Sequence, residues 1–485
     1  MPDPIKVLFL AAEAEPFIKV GGLADVAGSL PRTLRTLTSQ AMHGTKLDVR
    51  LVLPLHRAIH IESKTLKRVA EFSVYRRGGA LPVQVFEMLQ GGMPVYFING
   101  DLIAAAPSVY STNLEADRDK YAFFSLAALE LARSLDWTPD LIHANDWHTA
   151  LALYALHSRR TDPKLMRIRT LLTVHNLPYT GGDGKDVLSA YGLMPLQDSI
   201  LPKWAQNQPL PLGLWSADAI VPVSPTYGRE ILTPEFGCGL ETFLKSRSGS
   251  ITGILNGLDN QIWNPDTDQA LAVRFNADML PARKTNKTAL QKNLGLDEKP
   301  IPLLAIIGRI DEQKGIDITF ETLRQMEDLD WQFVILGSGD AVLEGAARSL
   351  QTFYPDRVRT ILRFDDQLSR RIYAGADMFL MSSRYEPCGL AQMIAMRYGC
   401  VPVVHATGGL RDTVKDGKTG FLFPKADPGS MLEALRRAFV VYNNPDKWQR
   451  FQRDCMKEDF SWSRPARQYA MLYRALAAVS DGGEP

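Results

Sequence analysis

Cysteine is scarce in this chain. Its 485 residues include only four cysteines, at positions 238, 388, 400 and 455, and none of them forms a C-x-x-C pair. Cysteines so widely spaced indicate neither a disulfide framework nor a zinc site. The first apolar segment, residues 5–11, is followed at once by Glu13 and Glu15, which is not the pattern of a cleavable signal. We therefore expect a reducing compartment, most simply the cytoplasm.

An excess of one charge and a long hydrophobic run are also missing. The 55 basic and 54 acidic residues give a net charge of +1, so there is no general electrostatic reason to expect nucleic acid as a partner. No run approaches the roughly 18 apolar residues of a membrane helix. We expect neither nucleic acid nor a membrane as a partner, and the oligomeric state stays unknown. A chain of this length is expected to fold as two or three domains.

Two common nucleotide-binding motifs are absent. The chain contains neither G-x-x-x-x-G-K-[ST] nor G-x-G-x-x-G followed by an acidic residue after the next strand. These absences argue against a Walker-type nucleotidase and an NAD-dependent dehydrogenase. Short apolar runs instead alternate with helical patterns, and this alternation restarts at about residue 251. The pattern predicts an α/β protein with two halves, each built on a parallel sheet.

Polar residues follow three predicted strands of the first half. Lys19 and the pair Gly21-Gly22 follow residues 5–11, Asp146 follows residues 141–145, and His175 follows residues 170–174. Glycine lets the backbone approach a ligand closely, and a neighbouring lysine favours phosphate. Asp146 suits a sugar hydroxyl or the role of a base. Because the carboxyl ends of parallel strands share one edge, these groups should lie on one rim. The His143–His148 spacing lies across a strand and a loop, so we do not interpret it as a metal site.

The second half repeats this arrangement with two cations and one carboxylate. Arg309 and Lys314 follow an apolar strand at residues 303–308, and two cations in one loop suit a diphosphate. Glu386 lies between a strand at residues 378–381 and a helical run at residues 390–398. Its carboxylate can accept sugar hydroxyls, and the N–H groups of residues 388–391 form an anion site at the helix start. The alternative, a helix-capping Glu in an ordinary β-α connection, is about equally consistent with this loop alone. Two such halves imply a ligand held between them.

Several motifs along the chain are specific to one known family. The segment KVGGLADV at residues 19–26 resembles the N-terminal signature of bacterial glycogen synthases and plant soluble starch synthases, glycosyltransferase family 5. Further similar motifs are DWH at 146–148, TVHNL at 173–177, TPEFG at 233–237, ILNG at 254–257, QKG at 313–315, RYEPCGL at 384–390 and TGGL at 407–410. They occur in order over nearly the whole chain.

The resemblance implies the GT-B architecture, in which two Rossmann-like domains face each other across a deep cleft. Residues 1–250 would form the acceptor-side domain and residues 251–455 the nucleotide-sugar domain. Residues 456–485 would form a helix that crosses back to the first domain, followed by a short tail. The family transfers glucose from ADP-glucose, with retention, to the non-reducing-end 4-hydroxyl of an α-1,4-glucan. It needs no metal and no cofactor.

The resemblance also assigns roles to individual residues. Arg309 and Lys314 would bind the diphosphate, Glu386 and His175 would hold the donor glucose, and Asp146 would lie near the reacting centre. The other residues expected to bind substrate are Lys19, Gly21, Gly22, Asp25, Asn176, Asn256, Cys388, Gly389, Leu390 and Ala391.

Some positions depart from the family or leave alternatives open. Residues 99–110 lack the usual Arg-Pro pair, residues 208–213 lack a Lys before Gly213, and Tyr385 stands where Phe is commoner. Position 394 is Ile, so the Glu-x7-Glu pair of the sucrose-type transferases is absent, as the family expects. The alternatives are a related transferase that uses UDP-glucose or another acceptor, and a glucan-binding homologue with weak catalysis.

Overall fold

The chain forms two compact units in a computed structural model that describes residues 3–38, 45–61 and 65–478. The first unit comprises Met1–Gly257 together with Trp462–Pro485, and the second comprises Leu258–Ser461. The chain thus leaves the first unit, builds the second and returns. The predicted tail at residues 480–485 lies outside the described residues.

The first unit is built on an eight-stranded sheet. Its strands are β1 (Ile5–Leu10), β2 (Leu47–Pro54), β3 (Lys67–Arg76), β4 (Gly79–Gln90), β5 (Met93–Asn99), β6 (Leu141–Asn145), β7 (Arg169–Val174) and β8 (Ala219–Pro222). They lie in the order β3-β4-β5-β2-β1-β6-β7-β8. Neighbouring strands in the series β5-β2-β1-β6-β7-β8 are parallel, whereas those in the series β3-β4-β5 are antiparallel. Two apolar runs at residues 83–89 and 94–98, joined around Gly91-Gly92, predict a hairpin, and it is confirmed as β4 and β5. The strand β3 was not predicted.

Helices cover this sheet. They are α1 (Gly22–Thr36), α2 (Asp101–Ala104), α3 (Leu114–Ser134), α4 (Trp147–Ser158), α5 (Lys185–Ala190), α6 (Pro209–Ser216), α7 (Pro225–Glu230), α8 (Glu241–Ser246) and, from the chain's return, α17 (Ser463–Ala478). Apolar residues at helical spacing predict a helix over residues 120–135. The helix α3 begins six residues earlier, because the Asn113 side chain accepts the Ala116 N–H and caps it.

The returning helix completes the core of the first unit. Tyr469 and Tyr473 are fully buried among residues of β1, β2 and α1. His143, in β6, makes a 2.6 Å hydrogen bond with the Tyr473 hydroxyl through Nδ1 and a 2.7 Å bond with Thr173 through Nε2. Both nitrogens of this histidine are therefore used inside the core.

The second unit is built on a six-stranded parallel sheet in the order β11-β10-β9-β12-β13-β14. Its strands are β9 (Leu303–Ile307), β10 (Gln332–Leu336), β11 (Val358–Ile361), β12 (Met378–Met381), β13 (Val401–His405) and β14 (Phe421–Phe423). Its helices are α9 (Ala282–Asn293), α10 (Ile316–Arg324), α11 (Ala341–Phe353), α12 (Asp366–Gly375), α13 (Ala391–Arg397), α14 (Gly408–Thr413), α15 (Pro428–Tyr442) and α16 (Pro445–Lys457).

One predicted strand is wrong. Residues 254–259, expected to be a strand with a turn, adopt an irregular conformation in the structure. Ile254 is buried in the core of the first unit, and a Cβ at Gly257 would lie 2.7 Å from the Trp462 ring. The apolar residues of this segment are thus buried where the chain leaves the sheet, so burial produces the same signal as a strand.

Each sheet has one point where the strand order reverses. In the first unit β1 lies between β2 and β6, and in the second unit β9 lies between β10 and β12. In open α/β sheets, ligands bind outside the carboxyl ends of the strands at such a point. The loops after β1 and β6, and those after β9 and β12, carry most of the predicted site residues.

Candidate active site

The glycine loop after β1 carries Lys19, Gly21, Gly22 and Asp25. Lys19 Nζ lies 2.7 Å from Asp25 Oδ1, and the two side chains are partly exposed. Burial lowers the pKa of Lys19, but the carboxylates of Asp25 and Glu15 more than offset this and hold the pKa above its ordinary value. Lys19 is therefore a fixed cation at the start of α1, where the helix dipole adds positive potential.

Glu13 was not among the predicted site residues, but its carboxylate binds the backbone of this loop. The residue is only 1% exposed. Its carboxylate accepts the N–H groups of Val20 and Gly21, and it also accepts the Tyr110 hydroxyl at 3.0 Å. Burial raises the pKa of Glu13, while the three donors lower it. An acidic residue directly after an apolar strand was the available signal, and it was used only to argue against a cleavable signal segment.

The loops after β6 and β7 join Asp146 to His175. Asp146 Oδ1 accepts the His175 N–H at 2.7 Å, and His175 Nε2 lies 2.9 Å from Asn145 Oδ1. Because the Asn145 amide nitrogen donates to Leu10 O, this oxygen acts as an acceptor and His175 Nε2 carries the proton. His175 Nδ1 is left as the acceptor. The structure thus brings these two predicted residues into direct contact.

Burial acts on both titratable groups of this contact. It raises the pKa of Asp146 to about 7, against the N–H groups of His175 and Asn176 that lower it. It lowers the pKa of His175 to about 3. Asp146 also has a positive φ of 54°, a conformation that non-glycine residues adopt rarely. Near neutral pH, an uncharged imidazole and a strained, half-ionised carboxyl group therefore lie side by side.

Two predicted asparagines of the first unit hold unused acceptors. The side-chain oxygens of Asn176 and Asn256 are buried and accept no hydrogen bond from the described part of the chain. A buried polar atom without a partner is costly. Each of these oxygens is suited to accept a donor that a ligand brings.

In the second unit, Arg309 and Lys314 share the loop after β9. Asp311 accepts the Lys314 N–H and caps a 3₁₀ turn at Glu312–Lys314. The Arg309 side chain is 56% exposed and pairs with Asp311, while its Nη2 donates to Gln313 at 3.1 Å. The loop thus keeps one cation close to the protein and leaves the other extended toward solvent.

Lys314 and Glu386 meet at the ends of adjacent strands. Lys314 Nζ donates to Glu386 Oε2 at 2.6 Å, and Ser383 Oγ donates to the same oxygen at 2.9 Å. Glu386 is 5% exposed. The alternative role of Glu386 as a helix cap is not what the structure has, because α13 starts at Ala391 with no side-chain cap.

Glycines pack the loops of this site backbone against backbone. A Cβ at Gly315 would lie 2.1 Å from Ser382 O, and one at Gly408 would lie 1.9 Å from Glu386 O. Real Cβ atoms do not approach so closely. The loops that follow β9, β12 and β13 are therefore locked together, which fixes Lys314 relative to Glu386.

The segment Cys388 to Ala391 leads into α13. Cys388 is buried, and Gly389 has a φ of 70°. The Gln392 side chain donates to the carbonyls of Cys388 and Gly389 at 3.1 and 2.9 Å. With these carbonyls bonded inward, the N–H groups that open α13 remain for a ligand. The helix begins one residue later than predicted, at Ala391 rather than Leu390.

The described residues show neither a cluster of metal ligands nor a membrane-spanning helix. Among those the structure describes, no group of three His, Cys, Asp or Glu side chains is placed to hold a metal ion. In that same part of the chain, no helix is long and apolar enough to span a bilayer.

Two doubly wound units, with cations and a carboxylate at the strand ends, define a glycosyltransferase of the GT-B fold. Residues 6–246 match the family model described as the starch synthase catalytic domain, and residues 286–453 match glycosyl transferases group 1. The glycogen synthase of Thermotoga maritima is 41% identical over 98% of this chain and 100% of its own. The glycogen synthase of Syntrophotalea carbinolica is 38% identical over 97% and 98%. The chain belongs to the family of bacterial glycogen synthases and starch synthases.

Solved structures agree. The catalytic domain of starch synthase IV from Arabidopsis thaliana, solved bound to ADP and acarbose, is 32% identical with a TM-score of 0.87, covering 98% of this chain and 100% of that one. Sucrose-phosphate synthase from Thermosynechococcus elongatus, at 18% identity and a TM-score of 0.60 over 98% and 100%, shares the fold.

Proposed function

We propose that this protein transfers glucose from ADP-glucose to the non-reducing-end 4-hydroxyl of an α-1,4-glucan, with retention of configuration. Membership of the glycogen and starch synthase family supports the glucosyl transfer and the glucan. The family's starch synthase solved with ADP supports an adenine nucleotide as the carrier. The proposed ligands are thus a nucleotide sugar and a glucan.

The observation that carries this proposal is the contact between Lys314 and Glu386. A nucleoside diphosphate sugar presents an anion and sugar hydroxyls side by side, and here a cation and a carboxylate lie 2.6 Å apart at the sheet's reversal point. Lys314 has three donors, and one of them serves Glu386, so two remain for phosphate oxygens. Glu386 has a second oxygen for a hydroxyl.

Cations on both units suit the leaving group. Negative charge grows on the diphosphate as the sugar leaves, and fixed donors that meet such charge stabilise the transition state. In the second unit we assign this work to Arg309, Lys314 and the N–H groups from Gly389 to Ala391. In the first unit we assign it to Lys19, with the Gly21-Gly22 backbone.

The remaining groups of the first unit suit sugar hydroxyls. His175 is neutral, with its Nδ1 able to accept a hydroxyl proton, and we assign it to the donor glucose. Asp146 lies beside it, and as a carboxylate it would stabilise positive charge on the ring. The unused oxygens of Asn176 and Asn256 are proposed to accept further hydroxyls.

The proposed setting is the cytoplasm, without a metal. All four cysteines are free, and three of them are buried thiols, in keeping with a reducing compartment. Cations and N–H dipoles replace a divalent ion at the diphosphate.

Asp25 holds Lys19, and Cys388 contributes an apolar thiol to the donor pocket.

The test is incorporation of label into glycogen. Purified protein is incubated with glycogen and either ADP-glucose or UDP-glucose, each radiolabelled in the sugar, and precipitated counts are measured. We expect transfer from ADP-glucose. Transfer only from UDP-glucose would replace the donor, and counts from neither would leave a glucan-binding protein. Release of the label by an α-1,4-specific glucosidase then tests retention.

A further inference from the structure

A buried ion pair lies on α3, outside the residues assigned to the reaction. Lys120 Nζ and Asp117 Oδ1 are 2.7 Å apart, and the two side chains are 1% and 6% exposed. Burying two charges costs desolvation, and an ion pair of this kind is weak evidence for stability. Hydrophobic residues would fill the same space, so the contacts of the pair decide what it does.

The pair forms hydrogen bonds with the backbone of residues 108–111 on both sides of Tyr110. Lys120 Nζ donates to the carbonyl oxygens of Ser108 and Val109 at 3.2 and 2.7 Å. On the other side, the Ser111 N–H donates to Asp117 Oδ2 at 2.7 Å. All three protons of the ammonium group are therefore used. Tyr110 sits in the middle of the segment.

Tyr110 passes this constraint to the glycine loop. Its hydroxyl donates to Glu13 Oε1 at 3.0 Å, and the Glu13 carboxylate accepts the N–H groups of Val20 and Gly21. Hydrogen bonds and the covalent chain of residues 108–111 thus link α3 to the loop that carries Lys19. Every member lies in the first unit.

We propose that the Asp117–Lys120 pair is a positioning pair, which holds the glycine loop for the donor diphosphate by way of Tyr110 and Glu13. This inference rests on the proposed function, because the loop matters only if Lys19 meets the diphosphate. The pair touches neither substrate nor the reacting atoms. Its effect should therefore appear in the order of the loop and in the KM for the donor.

The first test measures the loop directly. Asp117→Asn keeps one acceptor oxygen, so Lys120 or Ser111 loses its partner. We expect the amides of Val20 and Gly21 to exchange hydrogen for deuterium about tenfold faster, the scale of one charge-assisted hydrogen bond. Asp377→Asn is the control, because Asp377 also bonds a lysine at 2.6 Å and a backbone N–H at 2.9 Å, both through Oδ2, in the second unit.

The second test asks whether the effect passes through Tyr110. Tyr110→Phe removes only the hydroxyl, and the double variant closes a mutant cycle. We expect Asp117→Asn to raise the KM for ADP-glucose about tenfold in the wild-type background and less than twofold in the Tyr110→Phe background. A purely structural pair would lower the Tm in both backgrounds and leave the KM unchanged.

Each result decides a separate question. Unchanged exchange at Val20 and Gly21, equal loosening by Asp377→Asn, or a KM effect that persists without the hydroxyl would overturn the positioning role. If Asp117→Asn does not fold, Tyr110→Phe alone must loosen the same two amides, or the inference fails. A wild-type protein that does not use ADP-glucose would refute the proposed function, and the exchange measurements would still judge the link from α3 to the loop.

Discussion

Asp146 and His175 are joined by a 2.7 Å hydrogen bond and have opposite pKa shifts with one cause. Burial favours the neutral form of each, so the pKa of Asp146 rises to about 7 and that of His175 falls to about 3. Near neutral pH the imidazole is uncharged and the carboxyl group is close to its midpoint. The negative charge of this contact therefore lies on Asp146 alone, and it changes with pH around 7.

These shifts predict a pH dependence of stability with a defined sign. Asp146 has a raised pKa, so its contribution to the free energy of unfolding is fully present below about pH 4 and is lost as the pH rises to about 7. His175 has a lowered pKa, so its contribution is present above about 6.5 and is lost as pH falls toward 3. In Asp146→Asn the first effect disappears. The stability of wild type relative to this variant should therefore fall between pH 4 and 7 by on the order of 4 kcal/mol. Urea unfolding at several pH values measures it, and a constant difference would contradict it.

Replacing either cation of the β9 loop should reduce turnover without unfolding the protein. Both residues lie in the polar loop that follows β9, so Arg309→Ala and Lys314→Ala should keep the fold. Lys314→Ala should also lower the stability, because it leaves the buried Glu386 carboxylate with Ser383 as its remaining side-chain donor. We expect kcat to fall about 10²–10³-fold, the scale of one lost oxyanion contact. Arg348→Ala is the control, because Arg348 is exposed and pairs only with Glu344 among the contacts found in the described chain. A wild-type rate in either folded variant would remove the diphosphate role.

Glu386→Gln should separate the sugar step from nucleotide binding. The amide keeps one acceptor oxygen and loses the negative charge that we propose stabilises positive charge on the sugar ring. We expect glucosyl transfer to fall strongly while ADP, which has no glucose, binds almost as in wild type. Calorimetry with ADP beside the transfer rate measures both. Ser383→Ala removes one donor to Glu386 and keeps the charge, so it should lose far less activity. Full transfer by Glu386→Gln would show that the residue is misassigned.

A methyl group at Gly315 should displace the loop after β9, which carries Lys314. Gly315 has a φ of 61°, and a Cβ there would lie 2.1 Å from Ser382 O. Gly417 has a φ of 67° and an open space around its Cβ position. Gly417→Ala should therefore cost only the strain of the left-handed conformation, about 1–2 kcal/mol. Gly315→Ala should cost more and reduce transfer as well. Equal losses of stability from thermal unfolding of the two variants would show that the backbone contact carries no weight.

Chelation should leave turnover unchanged. The described residues hold no cluster of metal-binding side chains, and Arg309 and Lys314 can neutralise the diphosphate. Dialysis against EDTA, followed by the transfer assay with and without magnesium or manganese, is the measurement. Loss of activity that either ion restores would overturn this expectation.

The sequence predicted the strands that are fully buried. β1, β6, β7, β9 and β12 are short apolar runs with polar ends, and burial on both faces makes such strands legible. β3 was missed because its residues are mostly exposed or half-buried and include many charges. The error at residues 254–259 has the opposite origin, since there apolar residues are buried without pairing into a sheet.

Candidate site residues could be predicted where they follow a strand. They could not be predicted where their role depends on contacts that only the folded chain makes. Lys19, Asp146 and Glu386 lie in loops that follow strands, and the charge of each side chain indicates the ligand group that it could bind. Glu13 is recognisable only once the chain bends back, because its partners Val20 and Tyr110 are set by the fold. The same is true of the contact between Lys314 and Glu386, which are 72 residues apart in the chain.

The return of α17 to the first unit has a consequence for how the chain is made. During synthesis the second unit, Leu258–Ser461, leaves the ribosome as one continuous piece. The first unit does not yet have Tyr469 and Tyr473, so the hydrogen bond to His143 and the burial of β1 stay incomplete. The first unit, which begins synthesis first, is thus the last to finish folding. A nascent chain stopped before residue 462 should hold a protease-resistant second unit and a first unit that is still digestible.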